Sequence, residues 1–167
     1  GDLDLHVGRS DPTATDGTPG QPNLLLLNDG TGHFVDESAT HLLPGLSENT
    51  QDARFADLDG DLDLDLVVAN SVYSMLPAAS GDVLINQGGA QGGTPGVFID
   101  DPASFLETST SSDAIRLSTH ADDVDADGDI DVLVTVHDLF DGADQMLFLN
   151  QGGAQAGLEG QFVRQLW

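Results

Sequence analysis

The apolar residues of this chain fall in short runs separated by turn residues, and the runs come in sets. Leu24-Leu25-Leu26-Leu27, Leu66-Val67-Val68-Ala69, Val83-Leu84-Ile85, Val132-Leu133-Val134 and Met146-Leu147-Phe148-Leu149 lie next to Asn-Asp-Gly, Gln-Gly-Gly or Asp-rich stretches. A buried helix needs roughly 10 to 12 residues, so runs this short predict strands. One set of four is expected at about Ala53–Ala56, Leu66–Ala69, Val83–Asn86 and Val97–Asp100, and another at about Thr119–Asp122, Val132–Val136, Met146–Asn150 and Gln161–Arg164. The third strand of each set is apolar at successive positions, the pattern of a strand covered on both faces.

The sets repeat. Phe34 in Gly-His-Phe-Val-Asp recurs as Phe98 and again as Phe162, at intervals of 64 residues, and Asn28, Asn86 and Asn150 close the preceding apolar runs. A fixed period of tens of residues marks an array of one supersecondary unit. The divisions expected are 1–50 (a partial first unit and link), 51–117 (a second unit and link) and 118–167 (a third unit). Gly1-Asp2-Leu3-Asp4-Leu5 aligns with Gly128-Asp129-Ile130-Asp131-Val132, so the first unit holds only the tail of its loop and lacks its innermost strand.

Between the first and second strands of each complete unit stands a ladder of aspartates: Asp57, Asp59, Asp61, Asp63 and Asp65 in the second, Asp123, Asp125, Asp127, Asp129 and Asp131 in the third. Asp2 and Asp4 are what remains of it in the first. Composition sharpens the ladder's meaning. The chain carries 29 acidic residues against 4 basic ones, a net charge of -25, and its cations are arginines without a single lysine. Such a balance excludes a nucleic-acid partner, which needs a basic footprint. It also leaves the ladders without side-chain counter-charges. Only Glu37, Glu48, Glu107 and Glu159 are glutamates, so the acid is concentrated in the residue of turns and metal loops rather than of helices. The absence of cysteine rules out disulfides and thiolate metal sites, and no apolar stretch approaches the roughly 18 to 20 residues of a membrane span.

Aspartates at positions one, three, five and nine of a nine-residue loop gather four carboxylates around one point, with a backbone carbonyl expected from position seven. Like charges so close repel unless a cation joins them. Calcium, with six to eight oxygens at about 2.3–2.6 Å, fits; magnesium demands a stricter octahedron, and an all-oxygen set disfavours zinc. Position six is Gly128 in the third unit and Leu62 in the second, and a leucine forced to positive φ there costs roughly 1–2 kcal/mol. Position eight, occupied by Leu3, Leu64 and Ile130, is expected to point inward and tie the loop to the core.

At these residues the sequence resembles the FG-GAP/VCBS repeat family, whose pattern is Asp-x-Asp-Gly-Asp-Gly-x-x-Asp-Leu, then Val-Val-x-Asn, then Asn-Asp-Gly-x-Gly-x-Phe; Leu62 departs from it at the second glycine. The stretch from Phe34 to Leu46 is similar to the family's link between units. The resemblance implies an all-β fold of β-propeller blades, four antiparallel strands each, as in the head of integrin α subunits. It also implies calcium at Asp57, Asp59, Asp61, Asp63 and Asp65, at Asp123, Asp125, Asp127, Asp129 and Asp131, and in part at Asp2 and Asp4. At 64 residues per blade the chain holds about 2.6 blades, an incomplete ring where closed propellers have about four to eight. Other blades, from the same longer chain or from copies of it, are the expected partners. RTX rolls and EF-hands fail on spacing, because Asp65 leads directly into Leu66-Val67-Val68.

No catalytic constellation emerges. His6, His33, His41, His120 and His137 belong to no recognisable triad or zinc motif. Recognition is expected on the variable connections Arg9–Pro22, Ser38–Asp52, Ser71–Gly81, Pro102–Ser118 and Asp138–Asp144, where Tyr73, Met75, Leu139 and Phe140 are the large side chains. The function expected is a non-catalytic calcium-binding propeller segment of a secreted or cell-surface protein, extracellular or periplasmic. It would serve adhesion, display of a site for a protein or glycan ligand, or assembly. The alternatives are an accessory propeller of an extracellular enzyme and a subunit of a self-assembling polymer.

Overall fold

Strands form where the apolar runs lie, and they pair with their chain neighbours. A computed structural model describes residues 3–10, 21–42, 49–71, 82–100, 114–138 and 142–165. The first unit contains β1 (Leu5–Val7), β2 (Leu24–Asn28) and β3 (Phe34–Asp36), followed by a single turn of helix, α1 (Ser38–His41). The second contains β4 (Asn49–Ala56), β5 (Asp65–Ser71), β6 (Asp82–Asn86) and β7 (Phe98–Asp100); the third contains β8 (Ala114–Asp122), β9 (Asp131–Asp138), β10 (Gly142–Asn150) and β11 (Phe162–Arg164). Every pairing is antiparallel between consecutive strands of a unit, and one bridge, Ser71 with Ile115, joins the second unit to the third. The fold is all-β, as the sequence predicts.

The inner strands run longer than the apolar pattern indicates. β4 begins at Asn49 rather than near Ala53, and β8 at Ala114 rather than near Thr119. Both carry an irregularity in register, between Thr50 and Asp52 and between Arg116 and Ser118. Polar residues extend these strands because their side chains find partners. Asn23 Nδ2 donates to Thr50 Oγ1 at 2.9 Å, and Thr50 Oγ1 donates to Asn70 Oδ1 at 2.8 Å, a buried relay from the first unit into the second. Asp52 Oδ2 accepts from the Thr119 backbone N–H at 3.0 Å and so ties the second unit to the third.

The core lies between units, in two layers. Leu66, Val68 and Leu84 face the first unit with Leu25, Leu42 and Phe98, whereas Val67, Val83 and Ile85 face the third with Val132, Val134, Val136, Met146 and Phe148. The period of two along β5 and β6 therefore sends alternate side chains to opposite neighbours. Val83, Leu84 and Ile85 of β6 are buried on both faces, as expected of a third strand, but β2 and β10 are not. Leu147 and Leu149 alternate with the buried Met146 and Phe148, and β2 is only half-buried apart from Leu25. Only the second unit is covered on both sides by another unit among the described residues.

Position eight behaves differently from the expectation. Leu64 is 54% exposed and Leu3 is exposed as well, while Ile130 packs against the core. The loop residue that enters the core is at position two: Leu58 is fully buried among Val132, Val134 and Phe148 of the following unit. Ile130 meets that layer. Val124, the counterpart of Leu58 in the third unit, is 52% exposed.

Candidate metal loops

Each loop is shaped by its own carboxylates before any cation is considered. Asp57 Oδ2 accepts the Leu62 N–H at 3.1 Å, and Asp123 accepts the N–H groups of Asp127 and Gly128 at 3.0 and 3.1 Å. Asp61 and Asp127 each accept the N–H two residues on, from Asp63 at 3.0 Å and from Asp129 at 3.2 Å. The chain turns back at position six, where Leu62 takes φ 75° and Gly128 φ 104°. A second left-handed residue, not foreseen, stands at position four: Gly60 at 76° and Ala126 at 63°.

This winding brings side chains one, three and five together. One carboxylate oxygen from each of Asp57, Asp59 and Asp61 lies within 4.8 Å of the others, and Asp123, Asp125 and Asp127 do the same. Position nine, the fourth carboxylate expected at the ion, also accepts backbone N–H groups. Asp65 is buried and accepts Leu58 N–H at 2.8 Å and Asn86 N–H at 2.9 Å, while Asp131 accepts Val124 N–H at 3.0 Å and Asn150 N–H at 2.9 Å. These residues brace the loop against the third strand. Asp4 repeats half of that brace by accepting Asn28 N–H at 2.9 Å; Asp2 lies outside the described residues.

The asparagine that ends each third strand completes the brace. Asn86 Nδ2 donates to the Leu64 carbonyl and Asn150 Nδ2 to the Ile130 carbonyl, both at 3.1 Å, while their Oδ1 atoms accept from Gly96 and Gly160, both at 2.8 Å. The last glutamine of each Asn-Gln-Gly-Gly-Ala-Gln motif, on a 3-10 turn, reaches back to position three: Gln91 to Asp59, and Gln155 to Asp125 at 2.7 Å. These two glutamines were not singled out from the sequence, although the repeated motif carried them.

The donor set fits a hard cation. Buried oxygens of Asp57, Asp59, Asp63 and Asp129 meet no hydrogen-bond donor, a costly state for carboxylates unless something else engages them. Their acidity reflects it. Burial pushes Asp63 up to about 6 and Asp65 and Asp129 up to about 7, and it raises Asp59 and Asp131. Asp61 moves the other way, held below the usual range by the Asp63 backbone N–H.

The histidines do not converge. His33, His120 and His137 are exposed, and His41 sits on α1 beside Glu37 at 3.8 Å. His6 lies against Phe55 with both ring nitrogens buried and unpartnered, and burial lowers its pKa to about 4. It borders a polar cleft of roughly 280 Å³ shared with Thr50, Gln51 and Arg54 of β4. Tyr73, Met75, Leu139 and Phe140 lie outside the described residues. No described helix is long and apolar enough to cross a membrane.

Antiparallel units with an aspartate loop between first and second strands define a repeat protein built around acidic turns. Residues 1–68 match the model of the FG-GAP-like repeat family, in accord with the resemblance carried by the ladders. No curated protein matches the chain.

Proposed function

We propose that the chain is a calcium-binding segment of a β-propeller, its three units being successive blades, in a secreted or cell-surface protein. Its work is non-catalytic: adhesion, ligand display or extracellular assembly. The observation that carries this reading is the loop geometry: three carboxylates converge in each of two loops, and buried oxygens of Asp57, Asp59 and Asp63 in one loop and of Asp129 in the other meet no donor. Asp57, Asp59 and Asp61 would hold one ion and Asp123, Asp125 and Asp127 the other, with Asp65 and Asp131 holding the loops closed. A bound ion neutralises charge that otherwise strains the turns, so it acts as a structural staple between the first and second strands. Such sites suit a calcium-rich exterior. A chelator should lower the melting temperature, and Asp127→Ala should remove much of that response; a melt indifferent to chelation would defeat the calcium assignment.

A further inference from the structure

The seam between the second and third units carries an acidic residue that belongs to neither ladder. Leu58, at position two of the 57–65 loop, is buried in the third unit, and its carbonyl accepts Asn150 Nδ2 at 2.9 Å. The loop is thereby fixed against the turn that precedes β11. Glu159 stands in that turn, with its carboxylate so close to Gly60 that a β-carbon at position 60 would overlap it. Its neighbour Gly160 also approaches Asp59, whose Cβ would be 3.2 Å from a β-carbon placed there. On its other side the Glu159 stem and Asp129 Oδ2 flank Gly152, at 3.0 and 2.7 Å from where a β-carbon would be. Asp129 is only 3% exposed, and neither of its oxygens meets a donor; the group it does face is the Asp127 carboxylate.

We infer that Glu159 supplies a carboxylate from the third unit to the cation held by the 57–65 loop, so that this loop binds its ion with help from the following repeat. The inference rests on the calcium reading above. The aligned residue of the second unit, 64 positions earlier, is Pro95, so the feature is particular to this seam rather than part of the repeating pattern. Gly60 is what admits it: its φ of 76° and missing side chain leave room for the glutamate against the apex of the loop. Without a cation, the Glu159 charge adds to the repulsion among Asp57, Asp59 and Asp61; with one, the same charge is attractive.

Those opposite effects give a test that a purely structural glutamate would not pass. Glu159→Gln keeps the shape and removes the charge. In chelator, the variant should melt at a higher temperature than the unaltered chain. Calorimetric titration with calcium in an Asp125→Asn background, which leaves the 57–65 loop as the binding site, should show affinity about three- to tenfold weaker for Glu159→Gln. Equal affinities with and without Glu159, or a lower melting temperature for the variant in chelator, would overturn the inference and leave the calcium reading standing. No calcium binding by the unaltered chain would overturn both.

Discussion

Leu62 and Gly128 occupy the same point of two otherwise similar loops, and exchanging their characters isolates a backbone term. Leu62 adopts φ 75°, and its side chain is 90% exposed, so it contributes little by burial. An L-residue in the left-handed region costs roughly 1–2 kcal/mol. Glycine removes that cost but adds freedom to the unfolded chain, about 0.5–1 kcal/mol. Leu62→Gly should therefore stabilise the protein by about 0.5–1 kcal/mol, or about 1–4 °C in melting temperature for a chain of this size. The reverse change has no steric component, because a β-carbon at Gly128 would meet nothing within 4 Å. Gly128→Leu carries the same two terms with their signs exchanged and should destabilise by about 0.5–1 kcal/mol, or about 1–4 °C. Both are read by urea denaturation and by thermal melts in chelator, which keeps the cation out of the comparison. A destabilised Leu62→Gly, or a Gly128→Leu that melts with the unaltered protein, would refute the reasoning.

Two further outcomes follow from burial. Leu58→Ala, although it lies in an acidic loop, should cost about 2–5 kcal/mol by urea denaturation, because its side chain fills the core of the next unit, whereas Val124→Ala should cost well under half as much. The metal-free protein should also melt higher at pH 5.5 than at pH 7.5. Asp63, Asp65 and Asp129 are raised by burial to about 6, 7 and 7, so between about pH 4 and 7 the folded state binds protons that the unfolded state does not, and stability falls as pH rises through that window. His6, lowered to about 4 by burial, works in the opposite sense between about pH 4 and 6.5, one group against three. A metal-free melt that rises from pH 5.5 to pH 7.5 would contradict this.

What the sequence reveals here is local, and what it conceals lies between units. The apolar runs place β5, β6, β9 and β10, and the ladders place both loops, because strand period and turn chemistry are properties of a few adjacent residues. The direction of Leu58 is different. Positions two and eight of the loop are both apolar, and only the stacking of one unit on the next decides which is buried. The extension of β4 to Asn49 likewise depends on Asn23 and Asn70, neither of which is near Thr50 in the chain. Within the site, spacing points to positions one, three, five and nine, and the structure brings one, three and five within 4.8 Å of one another. The role of Asp65 and Asp131 as braces was not legible from spacing, because it requires knowing that Asn86 and Asn150 present their N–H groups to them. The left-handed Ala126 went unread because alanine gives no signal of positive φ.

In the function proposed, two loops of this chain each hold a calcium ion, through Asp57, Asp59 and Asp61 and through Asp123, Asp125 and Asp127. Isothermal titration of the decalcified protein with calcium tests it most directly, repeated on Asp59→Asn and Asp125→Asn. Saturable binding of two ions is expected, reduced to one by either substitution, with a melting temperature that rises with calcium by an amount equivalent to about 2.7 kcal/mol per site at a hundredfold excess over the dissociation constant. Absence of saturable binding, or a stoichiometry that neither substitution changes, would contradict it.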